Sequence, residues 1–221
     1  MPIDDDVMRY QVDRLRRDYA DFVGDPEWAV VGDFFFERVY GTRDKAARDE
    51  AGRRLFEPAR TVLGDEIGGN LGKLLELNEL TDRLDRALVA KLGEMGVAQF
   101  SEPAYEEAYF RCDNHAARVR QIGLIADALE YFHRLAYMPG LGVGLTLLKP
   151  YAAIKKATAV YEFLRDGYRG FRMIQDIAPF VAAVRKREAA RLDRIYRLNG
   201  NAVVRSDAPK EGRTTRRRTT S

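Results

Sequence analysis

Along this chain apolar residues recur every three or four positions, and strict apolar–polar alternation of β-branched residues is missing. That period predicts helices and no strands. The first helix is expected over 4–23, with Met8, Val12, Leu15, Tyr19 and Phe22 on its buried face and Arg9, Arg14, Arg16 and Arg17 largely elsewhere. Gly24 stops it. Asp25-Pro26-Glu27 then reads as a helix start: an acceptor at the N-cap, proline in the first turn, and an acid at the positive end of the dipole. From 26 to about 40, Val30, Val31, Phe34, Phe35, Phe36 and Val39 are apolar nearly all round, which predicts a central helix ended by Gly41. A shorter helix is expected over 44–56, then irregular structure over 57–68, where Pro58, Gly64 and Gly68 fall.

The second half repeats the pattern with longer elements. Leu71, Leu74, Leu77, Leu80, Leu84 and Leu88 form one stripe of a helix over 69–92, closed by Gly93 and Gly96. Ser101-Glu102-Pro103 opens a helix expected to run to about 136, with Tyr105, Tyr109, Cys112, Ala116, Val119, Ile122, Ala126 and Leu129 inward. Pro139, Gly140, Gly142 and Gly144 are expected to break the chain until Pro150, after which Ile154, Ala157, Tyr161, Leu164 and Tyr168 mark another helix, weakened and kinked by Gly167 and Gly170. The last helix is expected from Pro179 to Asn199-Gly200, with Val181, Val184, Ala189, Leu192 and Tyr196 inward. The fold class is therefore all-α: a single-domain bundle of about seven helices over 1–200, followed by a disordered basic tail over 201–221.

Composition narrows the chemistry. The 221 residues are 46% apolar and 32% charged, a globular balance. One cysteine excludes a disulfide framework and multi-cysteine metal sites, and two histidines exclude a three-histidine site. No apolar run reaches the roughly 18 residues of a spanning helix, and the acidic Met-Pro-Ile-Asp-Asp-Asp start is unlike a signal peptide. A soluble, cytoplasmic protein is expected. The formal charge of +3 hides an asymmetry: residues 205–221 hold six basic residues against two acidic, +4, while 1–204 carries −1. The tail has no large apolar residue after Val204, so it is expected to stay disordered, with weak contact to nucleic acid or anionic lipid as its functional alternative.

Few residues suggest catalysis. Glu130 and His133 form a Glu-x-x-His pair, the ligand spacing of carboxylate-bridged metal bundles. Such a site needs a second pair, yet Cys112 stands three residues before His115, the other histidine. The two histidines are five helical turns apart, roughly 27 Å, and cannot share a metal. Asp33, Glu37, Glu76 and Glu79 could complete a one-histidine site; otherwise His133 is a part-buried side chain hydrogen-bonded to a neighbouring helix. Asp33 and Glu37 lie four apart on the most apolar helix and need cationic partners, for which Arg43, Arg48 and Arg53 are candidates. No nucleophile elbow, phosphate loop or dinucleotide fingerprint occurs, and Cys112 reads as a small core residue. The uncharged stretch Leu135–Leu148, bounded by Arg134 and Lys149 with Lys155 and Lys156 beyond, is either a buried connection or an exposed apolar loop that touches a membrane or partner. Exposed aromatics would favour the second.

Asp33-Phe34-Phe35-Phe36-Glu37-Arg38-Val39-Tyr40-Gly41, followed by Arg43-Asp44, resembles the bacterial FFLEELY-motif proteins. Phe34, Phe35, Glu37 and Tyr40 match that string, while Phe36, Arg38 and Val39 depart from its Leu, Glu and Leu. Leu80–Asp85 and Phe163–Met173 are similar to further stretches of the family. The resemblance implies a helical bacterial protein and supplies no substrate, cofactor or catalytic residue. Phe34, Phe35, Glu37, Tyr40, Arg43 and Asp44 are accordingly expected to be structural, with Phe35, on the stripe of Trp28, Val31 and Val39, the deepest. The functional expectation is a non-catalytic interaction or scaffold module, with no cofactor and with a protein partner or a second copy of itself. Two alternatives stay open: a peripheral membrane or nucleic-acid-associated protein using the tail and residues 135–156, and a metal-binding enzyme around Glu130 and His133.

Overall fold

A computed structural model describes residues 3–28 and 71–206, together with Arg54 and Thr61. The FFLEELY-like segment, with Asp33, Phe34, Phe35, Glu37, Tyr40, Arg43 and Asp44, lies outside the described residues. So do Arg48, Arg53, the helix expected over 44–56 and the residues after 206. Among the described residues the protein is all-helical. The elements are α1 (Ile3–Asp18), α2 (Ala20–Val23), α3 (Leu71–Glu94), α4 (Glu102–Arg111), α5 (His115–Ala136), α6 (Leu141–Ile154), α7 (Thr158–Met173) and α8 (Ala178–Ser206). None is long and apolar enough to cross a membrane.

Local chemistry explains most boundaries. Asp4, Asp5 and Asp6 sit in the first turn of α1 and Arg16 and Arg17 in its last, each sign complementing the helix dipole. The chain breaks at Tyr19 where one continuous helix was expected, and this side chain is buried. Gly24 then ends α2, and the Asp25 carboxylate accepts the Glu27 amide at 2.9 Å to start the next turn. The Ser101 hydroxyl caps α4 by accepting from the Ala104 amide at 3.4 Å.

α5 is the centre of the bundle, packed against α3, α7 and α8; α4 joins α3 to α8, and α1 rests on α3. The largest core cluster includes Leu15, Tyr19, Trp28, Ile125, Leu129, Phe171, Ile174 and Phe180. Its aromatic part is a nest in which Phe180 meets Tyr19, Phe22 and Trp28 at centroid distances of 5.7, 5.0 and 5.6 Å. A second cluster joins Val7 to Leu88, Leu92, Tyr105 and Ala108. α6 packs mainly on α7, through a separate cluster of Leu148, Ala152, Ala157, Val160 and Tyr161.

Three expectations need correction. The helix expected from 101 to 136 is two helices, interrupted at Cys112–Asn114 with Asp113 at φ 49°. The break resets the azimuth of everything after it, so Val119 is 51% exposed while Arg118 and Gln121 are buried. The segment after Pro139 is helical from Leu141, with Gly140 at φ 82° supplying the left-handed turn before it and Pro150 inside. Pro150 removes only one helical bond, that to the Thr146 carbonyl, and its ring is exposed, so the helix survives. Finally, α8 continues past Asn199-Gly200 to Ser206, with the Asn199 amide donating back to the Ile195 carbonyl at 2.8 Å.

Candidate functional site

Two features stand apart from ordinary packing. The first is α6. Its inner face buries Leu141, Leu145, Leu148 and Ala152. At 100° per residue its outer face gathers Val143, Leu147, Tyr151 and Ile154 into one stripe, with Pro150 beside them. Val143 is 66% exposed, Leu147 58% and Ile154 76%; Tyr151 and nearby Tyr137 are exposed as well. Lys149 lies to one side of the stripe and Lys155 to the other, with Lys156 following at φ 53°. These three lysines form no ion pair among the described residues, and no acid occurs between Glu130 and Glu162. The stretch expected to be either a buried connection or an exposed loop is thus a helix that is one on each face.

The sequence placed the other candidate residues less well. Glu130 is exposed, and the ring Nε2 of His133 lies 3.0 Å from the Ile174 carbonyl at the end of α7. Tyr137 donates to the same carbonyl at 2.7 Å, so the part-buried His133 ring is held beside the end of α7. His115 sits at the far end of α5, against the Tyr196 ring with centroids 4.8 Å apart. Glu76 pairs with Arg120 through two 2.9 Å bonds, and Glu79 is exposed. Among the described residues no group of three His, Cys, Asp or Glu side chains could hold a metal ion. Cys112 ends α4 half-buried, and burial pushes its thiol pKa up, away from the reactive thiolate.

The second feature was not foreseen. A cavity of about 70 Å³ lies among α1, α3, α4, α5 and α8, lined by Gln11, Arg14, Tyr105, Tyr109, Arg118 and Glu188 among others. Arg14, expected to lie off the buried face, is largely enclosed there. Its guanidinium meets the Glu188 carboxylate at 2.6 Å, and Tyr19 donates to the same oxygen at 3.0 Å. Burial alone would lower the Arg14 pKa, but Glu188 more than offsets this and holds it well above the ordinary arginine value. Burial and the bond to Glu188 push the Tyr19 phenol up. Arg118 lines the same cavity, its Nη1 donating to the Gln121 side-chain oxygen at 3.2 Å and its Nη2 to the Leu84 carbonyl at 3.3 Å. The only sequence signal for this cluster is the i, i+3, i+4 spacing of Gln11, Arg14 and Leu15, continuing from Val7 along one face of α1.

The architecture is that of a helical bundle with one helix turned partly outward and one small polar cavity in an otherwise apolar interior. The chain belongs to the family described as domain of unknown function DUF8198, whose model matches residues 4–202. No curated protein and no solved structure matches it.

Proposed function

We propose that the protein is a docking module whose outer α6 face lies on an anionic membrane surface. One observation carries this: an exposed apolar stripe of Val143, Leu147, Tyr151 and Ile154 is flanked by unpaired lysines, in a segment free of acids from 131 to 161. This is the pattern of a helix lying in the lipid interface, its hydrocarbon among acyl chains, its tyrosines at headgroup level and its lysines at the phosphates. Each lysine near such a surface contributes about 1 kcal/mol. Self-association through the same face is less favourable, because it would bring Lys149, Lys155 and Lys156 of two copies together with no acid to pair them.

In this reading the chain is a cytoplasmic, non-catalytic protein of the bacterial FFLEELY-motif kind. Residues 1–200 act as the domain, and the basic residues from Arg205 onward add to the attraction. Phe34, Phe35, Glu37, Tyr40, Arg43 and Asp44 keep a structural role, which the stability of Phe35→Ala checks. The deciding experiment is co-sedimentation with phosphatidylglycerol and phosphatidylcholine vesicles across a salt series. Binding only to the anionic vesicles, weakening with salt, is expected. Leu147→Glu should abolish it at an unchanged melting temperature. Absence of sedimentation at low salt overturns the reading. So does a large fall in melting temperature for Leu147→Glu, which would mean that the face is covered within the chain, and so does a dimer that this substitution dissolves.

A further inference from the structure

The interior cavity, independent of the α6 face, holds an electrostatic imbalance. Three guanidinium groups line it beside two carboxylates, Glu188 and Asp85. Asp85 accepts from the Gln11 amide at 3.4 Å, and two of the three arginines have a carboxylate within ion-pair distance. Arg14 has Glu188 at 2.6 Å. Arg191 has Glu106 at 3.3 Å and the Tyr10 hydroxyl at 2.9 Å. Arg118 has no carboxylate within 4 Å among the described residues, although its residue is only 4% exposed. Its neighbours are an amide oxygen, a backbone carbonyl and the face of the Tyr109 ring, 4.3 Å from the guanidinium carbon. Its Nε is buried with no hydrogen-bond partner.

A guanidinium cannot shed its charge by deprotonating, and removing an ion from water costs several kcal/mol unless an opposite charge or a full set of acceptors compensates. Neutral acceptors serve two of its nitrogens, and the third has none. The carboxylate of Glu188 is already held by Arg14 and Tyr19. The Gln121 amide is fixed from behind, donating to the Thr81 hydroxyl at 3.0 Å, so its oxygen stays turned to Arg118. Tyr109 also lines the cavity, and its hydroxyl has no hydrogen-bond partner among the described residues. Burial pushes its phenol pKa up, so it remains an O–H donor at every physiological pH.

We infer that this cavity binds a compact anion, with Arg118 as the charge partner and Tyr109 as a second donor. The cavity, of about 70 Å³, is small and suits a compact oxyanion head, a carboxylate or a phosphate. A guanidinium beside a phenol suits planar and tetrahedral oxyanions alike, through charge-assisted bonds to separate oxygens.

The test is calorimetric titration of the full chain with acetate and with inorganic phosphate at constant ionic strength, alongside melting curves in the same solutions. Saturable heat with at least one of them, and a melting temperature that climbs with the logarithm of its concentration, is expected. The better of the two identifies the head group. Arg118→Met, which keeps an unbranched apolar stem and removes the charged head, should fold and lose both responses. Tyr109→Phe should fold and bind about 10-fold more weakly, the equivalent of one hydrogen bond to a charged group. No saturable heat with either anion overturns the inference, as does a melting response that Arg118→Met and Tyr109→Phe both leave unchanged.

Discussion

α6 and α8 both bury an apolar face, but they treat their remaining residues in opposite ways. On α8 four arginines are paired with acids of neighbouring elements. Arg185 reaches Asp127 on α5, Arg187 reaches Asp21 on α2, and Arg191 and Arg194 converge on Glu106 of α4. Together these four cations tie α8 to α5, α2 and α4 and help fix how the bundle closes. On and just after α6, Lys149, Lys155 and Lys156 form no ion pair among the described residues, and the outward stripe is mostly hydrocarbon. A helix that pairs most of its arginines with neighbouring elements has a structural role, whereas one whose charges and apolar side chains point outward with no partner among the described residues is equipped to meet something else.

The contrast should be largest where α8 carries a buried charge. Glu188→Ala removes the acceptor shared by Arg14 and Tyr19 and strands a guanidinium that is 13% exposed. A loss of about 3 kcal/mol is expected in chemical denaturation, the low end for an orphaned buried ion because Asp18 stays 3.3 Å from Arg14. A loss below about 1 kcal/mol would show that water reaches this pair and that α8 is no more tightly engaged than α6.

The next test lies within α6 itself. Leu148 is fully buried against α7, so Leu148→Ala should cost about 2.5 kcal/mol. Leu147, one residue earlier on the outer face, should tolerate alanine within about 0.5 kcal/mol. Equal costs, measured in the same denaturant titrations, would erase the distinction between the two faces.

The smallest effect concerns an exposed latch of α8. Arg187 grips Asp21 through bonds of 2.7 and 2.6 Å, and these bonds hold the Asp21 carboxyl below its usual pKa. A double-mutant cycle should return a coupling under about 1 kcal/mol. A lowered folded-state pKa gives stability that is present above the ordinary aspartate value near 3.9 and lost as pH falls through the folded value. The coupling should therefore be constant from neutral to mildly acidic solution and vanish in strong acid. Persistence there would assign it to packing of the Arg187 guanidinium over the Tyr19 and Phe22 rings.

Most of the fold was legible because helical spacing and caps are local. Leu80, Leu84 and Leu88 lie on the buried stripe of α3, and Ser101 and Asp25 cap as their positions implied. The split after α4 was not legible, because Cys112–Asn114 contains neither glycine nor proline. The left-handed position falls to Asp113, a residue that tolerates it. α6 was misread for the opposite reason. Gly142 and Gly144 look like breakers but serve packing: a Cβ on Gly142 would come within 2.8 Å of the Tyr168 hydroxyl, and Gly144 is buried. The apolar stretch around α6 was visible as a candidate, and its exposed tyrosines meet the criterion set for a surface role. The cavity was not visible, because Arg118 and Gln121 turn inward only once the phase set by the break is known.

That break also determines what kind of change the lineage can tolerate. Loops between helices ordinarily absorb insertions and deletions with little consequence. Losing one residue from Cys112–Asn114 while α4 stays in place would turn α5 by 100°. Val119 would then take the place of Arg118, exchanging an interior cation for a hydrocarbon without a single substitution. The length of this short connection is therefore as much a part of the chemistry of the interior as any side chain that lines it.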